Sequence, residues 1–338
     1  MVLDLASNKR GNRSDRKMAD ELGAFLKAAA DPLRIQVLRL LAQDSYGVTE
    51  LARVFAVKQS GMSHHLKILS QAGLVATRRE GNSIFYRRAL ARYSEFADLL
   101  VALFEQIDQL QLNSEIETRL AQVRADRVAS SQAFFNDNSE KFRSQQDLIA
   151  AYPVYAEPVT EFIEHSLAGR KQVAVEIGPG QGEFLAVLSP LYQQVIAFDI
   201  NQAMLEQAAS TIDRAGFTNV TLHIDDGCGL ADMLADDNAN LVTADLVVAN
   251  MVLHHVPSPV TMFEQVQNVL ASGGSFVITD LCLHDQNWAR DACGDVWLGF
   301  DPDDLKSWAK NSGLEIGQSI YFALRNGFQI QIQQFVKA

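Results

Sequence analysis

Cysteine is scarce: the 338 residues contain three, Cys228, Cys282 and Cys293. An odd count without CxxC spacing fits reduced thiols and argues against a disulfide framework or a cysteine-built zinc site. Long apolar runs are also missing. No stretch approaches the roughly 20 apolar residues of a membrane span, and Met1 to Lys17 is polar and basic, without the apolar core of a signal peptide. The expectation is a cytoplasmic protein with no membrane partner. Positive charge is in deficit overall, 29 Lys and Arg against 41 Asp and Glu. The deficit is uneven: residues 1–92 hold 16 basic and 8 acidic residues, the remainder 13 and 33. Halves so opposed suggest that one part meets a polyanion and the other does not. The length accommodates two domains, each with its own core.

The second half is organised around Val173 to Phe184. Val173, Val175 and Ile177 belong to an unalternating apolar run, which fits a strand buried on both faces. Gly178, Gly180 and Gly182 then allow a tight backbone turn beneath a ligand. A dinucleotide fingerprint needs its third glycine where Glu183 stands, so the GxGxG spacing argues against NAD. A second strand, Val195 to Phe198, ends in Asp199, placed to accept both hydroxyls of a ribose. Further strands end in polar residues in the same way: Val220–Ile224 before Asp225-Asp226, Ala244–Ala249 before Asn250, Ser275–Thr279 before Asp280. Polar residues at successive carboxyl ends are what a ligand site at the switch point of a doubly wound sheet needs. Near the end, Asn326-Gly327 between apolar runs is a type I′ hairpin signal.

With Glu-Ile-Gly-Pro-Gly-Gln-Gly, Phe-Asp-Ile and Ala-Asn-Met-Val-Leu-His-His-Val in these positions, residues 172–338 resemble a class I S-adenosylmethionine (SAM)-dependent methyltransferase domain. Glu176 stands where that family more often has Asp. The resemblance implies a Rossmann-like seven-stranded sheet completed by a C-terminal antiparallel hairpin. It also implies SAM or S-adenosylhomocysteine (SAH) as ligand, with Glu176, Gly178, Gly180, Gly182, Asp199, Ile200, Asp225, Asp226 and Asn250 as binding residues. Tyr152 and Tyr155 are candidate lid contacts or plain core residues. The segment after the fourth strand lacks the Asn-Pro-Pro-Tyr type of motif used by nucleic-acid amino-methyltransferases, and has no cysteine for an arsenic methyltransferase relay. His254 or His255 suits a base near neutral pH, yet no catalytic residue is assigned. Cys282 to Phe300, dense in Trp, His and Asp, is expected to close the acceptor side.

In the first half, Met1–Lys17 reads as a disordered basic arm. Helical patterns follow over Met18–Ala30, from Asp31-Pro32 as cap and first turn, over Val48–Phe55, and over Gln59–Ala72, closed by Gly73. In the last of these, Met62, Leu66 and Leu69 share one face. Gln59, Ser60, Ser63 and His64 are the expected base readers and Lys67 a phosphate contact, as in a recognition helix. His65 reads as a packing residue. A β-hairpin around Glu80-Gly81-Asn82 carries Arg78, Arg79, Arg87 and Arg88 as a wing.

Ala30-Asp31-Pro32-Leu33-Arg34 and the run from Ser63 to Val75 make residues 18–92 resemble an ArsR-type winged-helix regulator. That implies a homodimer on an inverted-repeat DNA duplex. The metal-sensing branch carries paired cysteines in the third helix, and Val48 to Ala52 has none, so no metal is expected. From Arg92 to about Arg127 a 4-3-4-3 stripe (Phe96, Leu100, Leu103, Ile107, Leu110) packs on its own domain or across a dimer. Ser130 to Asn138 reads as a boundary. The expected architecture is an α+β winged helix-turn-helix over 18–92, a helical linker or dimerisation segment over 93–128, and an α/β methyltransferase-like domain over 130–338. Two functional expectations follow: a regulator whose adenosyl ligand modulates operator binding, or a regulator that is also an active small-molecule methyltransferase.

Overall fold

The computed structural model describes residues 5–42, 44–80, 83–89, 94–166, 171–225, 230, 234, 243–286 and 288–338. It divides into two compact units, Met1–Ala125 and Asp126–Ala338.

The first unit begins with helix α1 (Leu5–Ala29) and α2 (Pro32–Leu40). Residues 5–17 are therefore helical, where the sequence suggested a disordered arm. No proline interrupts them, and extending a helix already anchored by buried Phe25 and Ala28 costs little compared with nucleating one. Asp31 caps α2 by accepting the Arg34 N–H at 3.0 Å. Strand β1 (Tyr46–Gly47), α3 (Val48–Val54) and α4 (Gln59–Gln71) follow. Strands β2 (Val75–Glu80) and β3 (Ser83–Arg88) form the antiparallel wing, and β1 pairs with β3.

The expected helical stretch after the wing is two helices, α5 (Ala97–Asp108) and α6 (Ser114–Ala150). Asn113 starts the second, its Oδ1 accepting the Ile116 N–H at 2.8 Å. Leu100 and Ile107 of the stripe lie in this unit's own core with Met62, Leu66 and Leu69, while Leu110 is exposed. Ser130 to Asn138 does not break the chain: it is helical within α6. Ser130 returns its hydroxyl to the Asp126 carbonyl at 2.9 Å, which satisfies the serine without ending the helix.

In the second unit, α7 (Tyr152–Ser166) precedes β4 (Val173–Ile177), α8 (Leu185–Leu191), β5 (Gln194–Asp199), α9 (Gln202–Ala215), β6 (Val220–Ile224) and β7 (Ala244–Asn250). A 3₁₀ turn (Leu253–His255) leads to α10 (Pro259–Val269), β8 (Leu270–Leu281), α11 (Trp288–Cys293), α12 (Pro302–Asn311), β9 (Leu314–Ala323) and β10 (Gln329–Lys337). The seven strands run in the order β6-β5-β4-β7-β8-β10-β9, with β4 to β8 parallel and β10 antiparallel to both neighbours. Every residue of β4 is buried, as an unalternating central strand requires. Strand order reverses between β4 and β7, which makes their carboxyl ends the switch point of the sheet.

The terminal hairpin forms with a different turn from the one its sequence suggests. Leu324 pairs with Phe328 through a 2.7 Å hydrogen bond, leaving Arg325, Asn326 and Gly327 as the loop. Only Gly327 of the three has positive φ, at 90°. A type I′ turn needs positive φ at both central residues. Asn326 is instead held by its side chain, whose Nδ2 donates to the Leu148 and Ile149 carbonyls at 2.9 and 2.8 Å at the end of α6.

Candidate functional site

Both units present a candidate site among their described residues. In the first, Met62, Leu66 and Leu69 of α4 are completely buried, which turns Gln59, Ser60, Ser63, His64 and Lys67 outward to solvent. His65 is half-buried, its Nδ1 3.9 Å from the Asp31 carboxylate. On the wing, Arg78 is half-buried and Arg79 occupies β2. Arg88 is turned inward. Its guanidinium spans both Asp108 oxygens at 2.8 and 2.9 Å, donates to the Leu38 carbonyl at 2.7 Å and lies 4.5 Å from the Phe104 ring centre. Arg88 is tied into the core because an acidic residue of α5 and an open carbonyl of α2 lie within its reach.

In the second unit a cavity opens at the switch point. Glu176, Gly178, Gly180, Asp199, Ile200, Asp225 and Asn250 line it, together with Tyr152 and Tyr155. Asp226 lies outside the described residues. Gly182 is not on the wall: it is buried, and a Cβ there would come within 3.0 Å of the Ala208 Cα. It serves the close packing of α9. Gly178 makes room for Val252, whose Cγ2 a Cβ would overlap. A Cβ on Gly180 would meet nothing within 4 Å. All three glycines have positive φ, 67°, 54° and 77° in order.

The electrostatics of the cavity follow from burial. Glu176, 2% exposed, is pushed up to about 8, first by desolvation and then by the neighbouring Asp199 charge. Asp199 is raised to about 6 by burial, opposed by backbone N–H groups of Asn201, Gly180 and Ile200; the Asn201 bond is 2.9 Å. Burial, reinforced by the charges of Glu176 and Glu183, lifts Tyr152 to about 12, and its hydroxyl donates to the Glu183 carbonyl at 3.2 Å. Tyr152 stands edge-on to Tyr155, ring centres 5.6 Å apart.

Buried polar atoms test whether an adenosyl ligand fits. Glu176 Oε2 and both side-chain polar atoms of Asn250 are buried without a hydrogen-bond partner. Such groups each cost of order 1–3 kcal/mol unless something satisfies them. An acceptor and an amide beside an open glycine and a half-buried carboxylate suit a ligand that carries an amine, a carboxylate and ribose hydroxyls. The residues present fit that group.

Sequence reasoning missed part of the wall. Gln146 reaches it from α6, donating to the Met251 carbonyl at 3.3 Å, and Met251 takes a strained φ of 53°. Cys282 to Phe300 does not line the cavity; it backs the wall instead, with Trp297 Nε1 donating to the Val256 carbonyl at 2.7 Å. Behind the wall, His254 Nδ1 lies 2.8 Å from Asp280 Oδ1, both groups buried. Desolvation would lower His254, but Asp280 and Asp295 outweigh it and pull it up to about 9. His255, which lines the cavity, is held well below its ordinary value by burial and by the His254 charge, against the Gly294 backbone.

Known proteins match both halves. Residues 31–77 match the bacterial regulatory protein, arsR family, and residues 169–313 a methyltransferase domain. The chain is 38% identical over 88 residues to the biofilm growth-associated repressor of Agrobacterium fabrum, covering 26% of this chain and 75% of that protein. It is 36% identical over 85 residues to the transcriptional activator HlyU of Vibrio cholerae, covering 25% and 79%. A solved structure of N-methyltransferase NodS from Bradyrhizobium japonicum WM9 with S-adenosyl-L-homocysteine aligns at 16% identity and TM-score 0.44, over 58% of this chain and 97% of that one.

Proposed function

Because the chain belongs to the arsR family of bacterial regulatory proteins and carries a methyltransferase domain, we propose that it is a DNA-binding regulator whose operator affinity is modulated by SAM or SAH bound in that domain. The observation that carries the reading is the cavity at the switch point, where unpartnered Glu176 and Asn250 atoms meet the open face of Gly180 beside Asp199.

On this reading Asp199 accepts from the ribose hydroxyls, Asn250 and the turn around Gly178 and Gly180 hold the amino-acid end, and Tyr152 and Tyr155 exclude water. Asp225 meets the adenine edge. The adenosyl sulfonium supplies an activated methyl group and departs as a neutral thioether, so a protein need only align an acceptor and keep water out. Binding therefore does not require turnover, and a sensor uses the same contacts. Outward Gln59, Ser60, Ser63 and His64 would read bases, with Lys67, Arg78 and Arg79 on phosphates. An inverted-repeat duplex bound by a homodimer supplies one half-site to each recognition helix.

The second reading, an active small-molecule methyltransferase, is favoured by one observation: His255 lines the cavity, its ring tilted against that of His254 with centres 4.1 Å apart. One experiment separates the two. Purified protein is titrated with SAM and with SAH while thermal stability and operator binding are followed together. Ligand stabilisation with a changed operator affinity supports the regulator. Stabilisation with unchanged operator affinity and methyl transfer to a small acceptor supports the enzyme, and no stabilisation at millimolar ligand overturns both.

A further inference from the structure

We infer that the buried cluster behind the cavity wall binds one divalent first-row transition cation, held by His254 Nε2, a ring nitrogen of His255 and the carboxylate of Asp295. All three residues are buried, and each offers a ligand atom within 4.8 Å of the others. No metal ligand is legible in the sequence, because Asp295 lies some forty residues from the histidine pair and meets it only through the fold.

The spacing is that of ligands rather than of hydrogen-bonding partners. Asp295 Oδ1 stands 3.8 Å from His254 Nε2 and 3.8 Å from His255 Nδ1. Both distances exceed a hydrogen bond. An ion held at roughly 2.0–2.2 Å by nitrogen and oxygen in tetrahedral geometry separates its ligand atoms by about 3.5 Å.

The tautomer is also set for a metal. Asp280 Oδ1 accepts the Nδ1 proton of His254 at 2.8 Å, and the carboxylate is itself fixed by backbone N–H groups of Leu281 (2.7 Å) and His254 (3.2 Å). Nε2 of His254 is then the ring nitrogen turned toward Asp295, buried and without a hydrogen-bond partner, and a metal bound there displaces the proton it otherwise carries. A carboxylate that orients a histidine from behind is the usual outer partner of a metal-binding imidazole. The geometry is rigid. The His254 carbonyl accepts the Val296 and Trp297 N–H groups at 2.9 and 3.0 Å, which clamps the loop of Asp295 to the histidine turn.

Charge balance points the same way. The Asp280 and Asp295 side chains are fully buried. A divalent cation between the two histidines would neutralise these two buried carboxylates. Two nitrogens and one oxygen select zinc, cobalt, nickel or iron(II) over magnesium or calcium. His255 lines the cavity, so the cluster lies directly behind its wall. None of the three ligands is assigned to the adenosyl ligand, so the inference stands or falls apart from that reading.

The test uses full-length protein stripped with a chelator, dialysed, and titrated with Co²⁺. One equivalent per chain should give the visible absorption of a low-coordinate site and raise Tm, and Zn²⁺ should displace it. D280N should weaken Co²⁺ binding 10- to 100-fold without abolishing it, and D295N should remove the band. Absence of a stoichiometric band in the unsubstituted protein would overturn the inference, as would a band unchanged by both substitutions. Should D295N fail to fold, nitrogen NMR of the unsubstituted protein decides: His254 protonated on both nitrogens, and unchanged by Zn²⁺, overturns it.

Discussion

Arg88 in β3 and Asp108 at the end of α5 form a two-point ion pair, with guanidinium nitrogens 2.8 and 2.9 Å from the two carboxylate oxygens. The arginine is mostly buried and the aspartate 43% exposed. This wing residue therefore ties β3 to the helix that packs beside it, and its contribution is to stability. R88A should lower the stability of the first unit by about 1–2 kcal/mol, the low end reflecting solvent around Asp108. Denaturant unfolding of R88A and D108N measures it.

Arg78 provides the contrast. R78A should weaken binding to all duplexes alike, with a shallower salt dependence. Substituting Ser63 or His64 should instead reduce discrimination between operator and random duplex. Fluorescence anisotropy at several salt concentrations distinguishes the two behaviours.

D199A should weaken SAM and SAH by roughly ten- to hundred-fold, since two ribose hydroxyls lose their acceptor. Calorimetry reads this directly. Because the Asp199 carboxyl is raised to about 6, ligand affinity in the unsubstituted protein should fall as pH drops through that value and the carboxylate is protonated.

Glu176 makes a prediction about stability without ligand. Its folded value of about 8 lies above the ordinary 4.5, so the folded state holds the proton more tightly. Stability from this group is fully present below about 4.5 and declines as pH rises toward 8. E176Q should flatten that decline, measured as Tm against pH.

The turn glycines should separate packing from binding. G178A drives a methyl into Val252, whereas G180A projects one into open space on the cavity wall. Both carry the cost of a left-handed backbone, about 1–2 kcal/mol. G178A should lose more stability, and G180A should lose ligand affinity in proportion greater than its loss of stability. Thermal melts with and without SAH compare them.

Local chemistry made much of this protein legible from sequence alone. The recognition helix shows in the spacing of Met62, Leu66 and Leu69, because a helix must bury one stripe. The switch-point site shows in polar residues that end apolar strands, because a parallel sheet buries its middle and exposes its carboxyl ends. Gly178 and Gly180 announce a turn that other residues resist. Tertiary structure decided what depends on neighbours remote in sequence. It turned Arg88 inward to Asp108, set Gly182 against Ala208 rather than in the cavity, gave Asn326 the end of α6 to bond instead of a two-residue turn, and brought Asp295 to His254. A side chain's partner in such cases is set by which strands and loops are brought together, and periodicity along the chain carries no record of that distance.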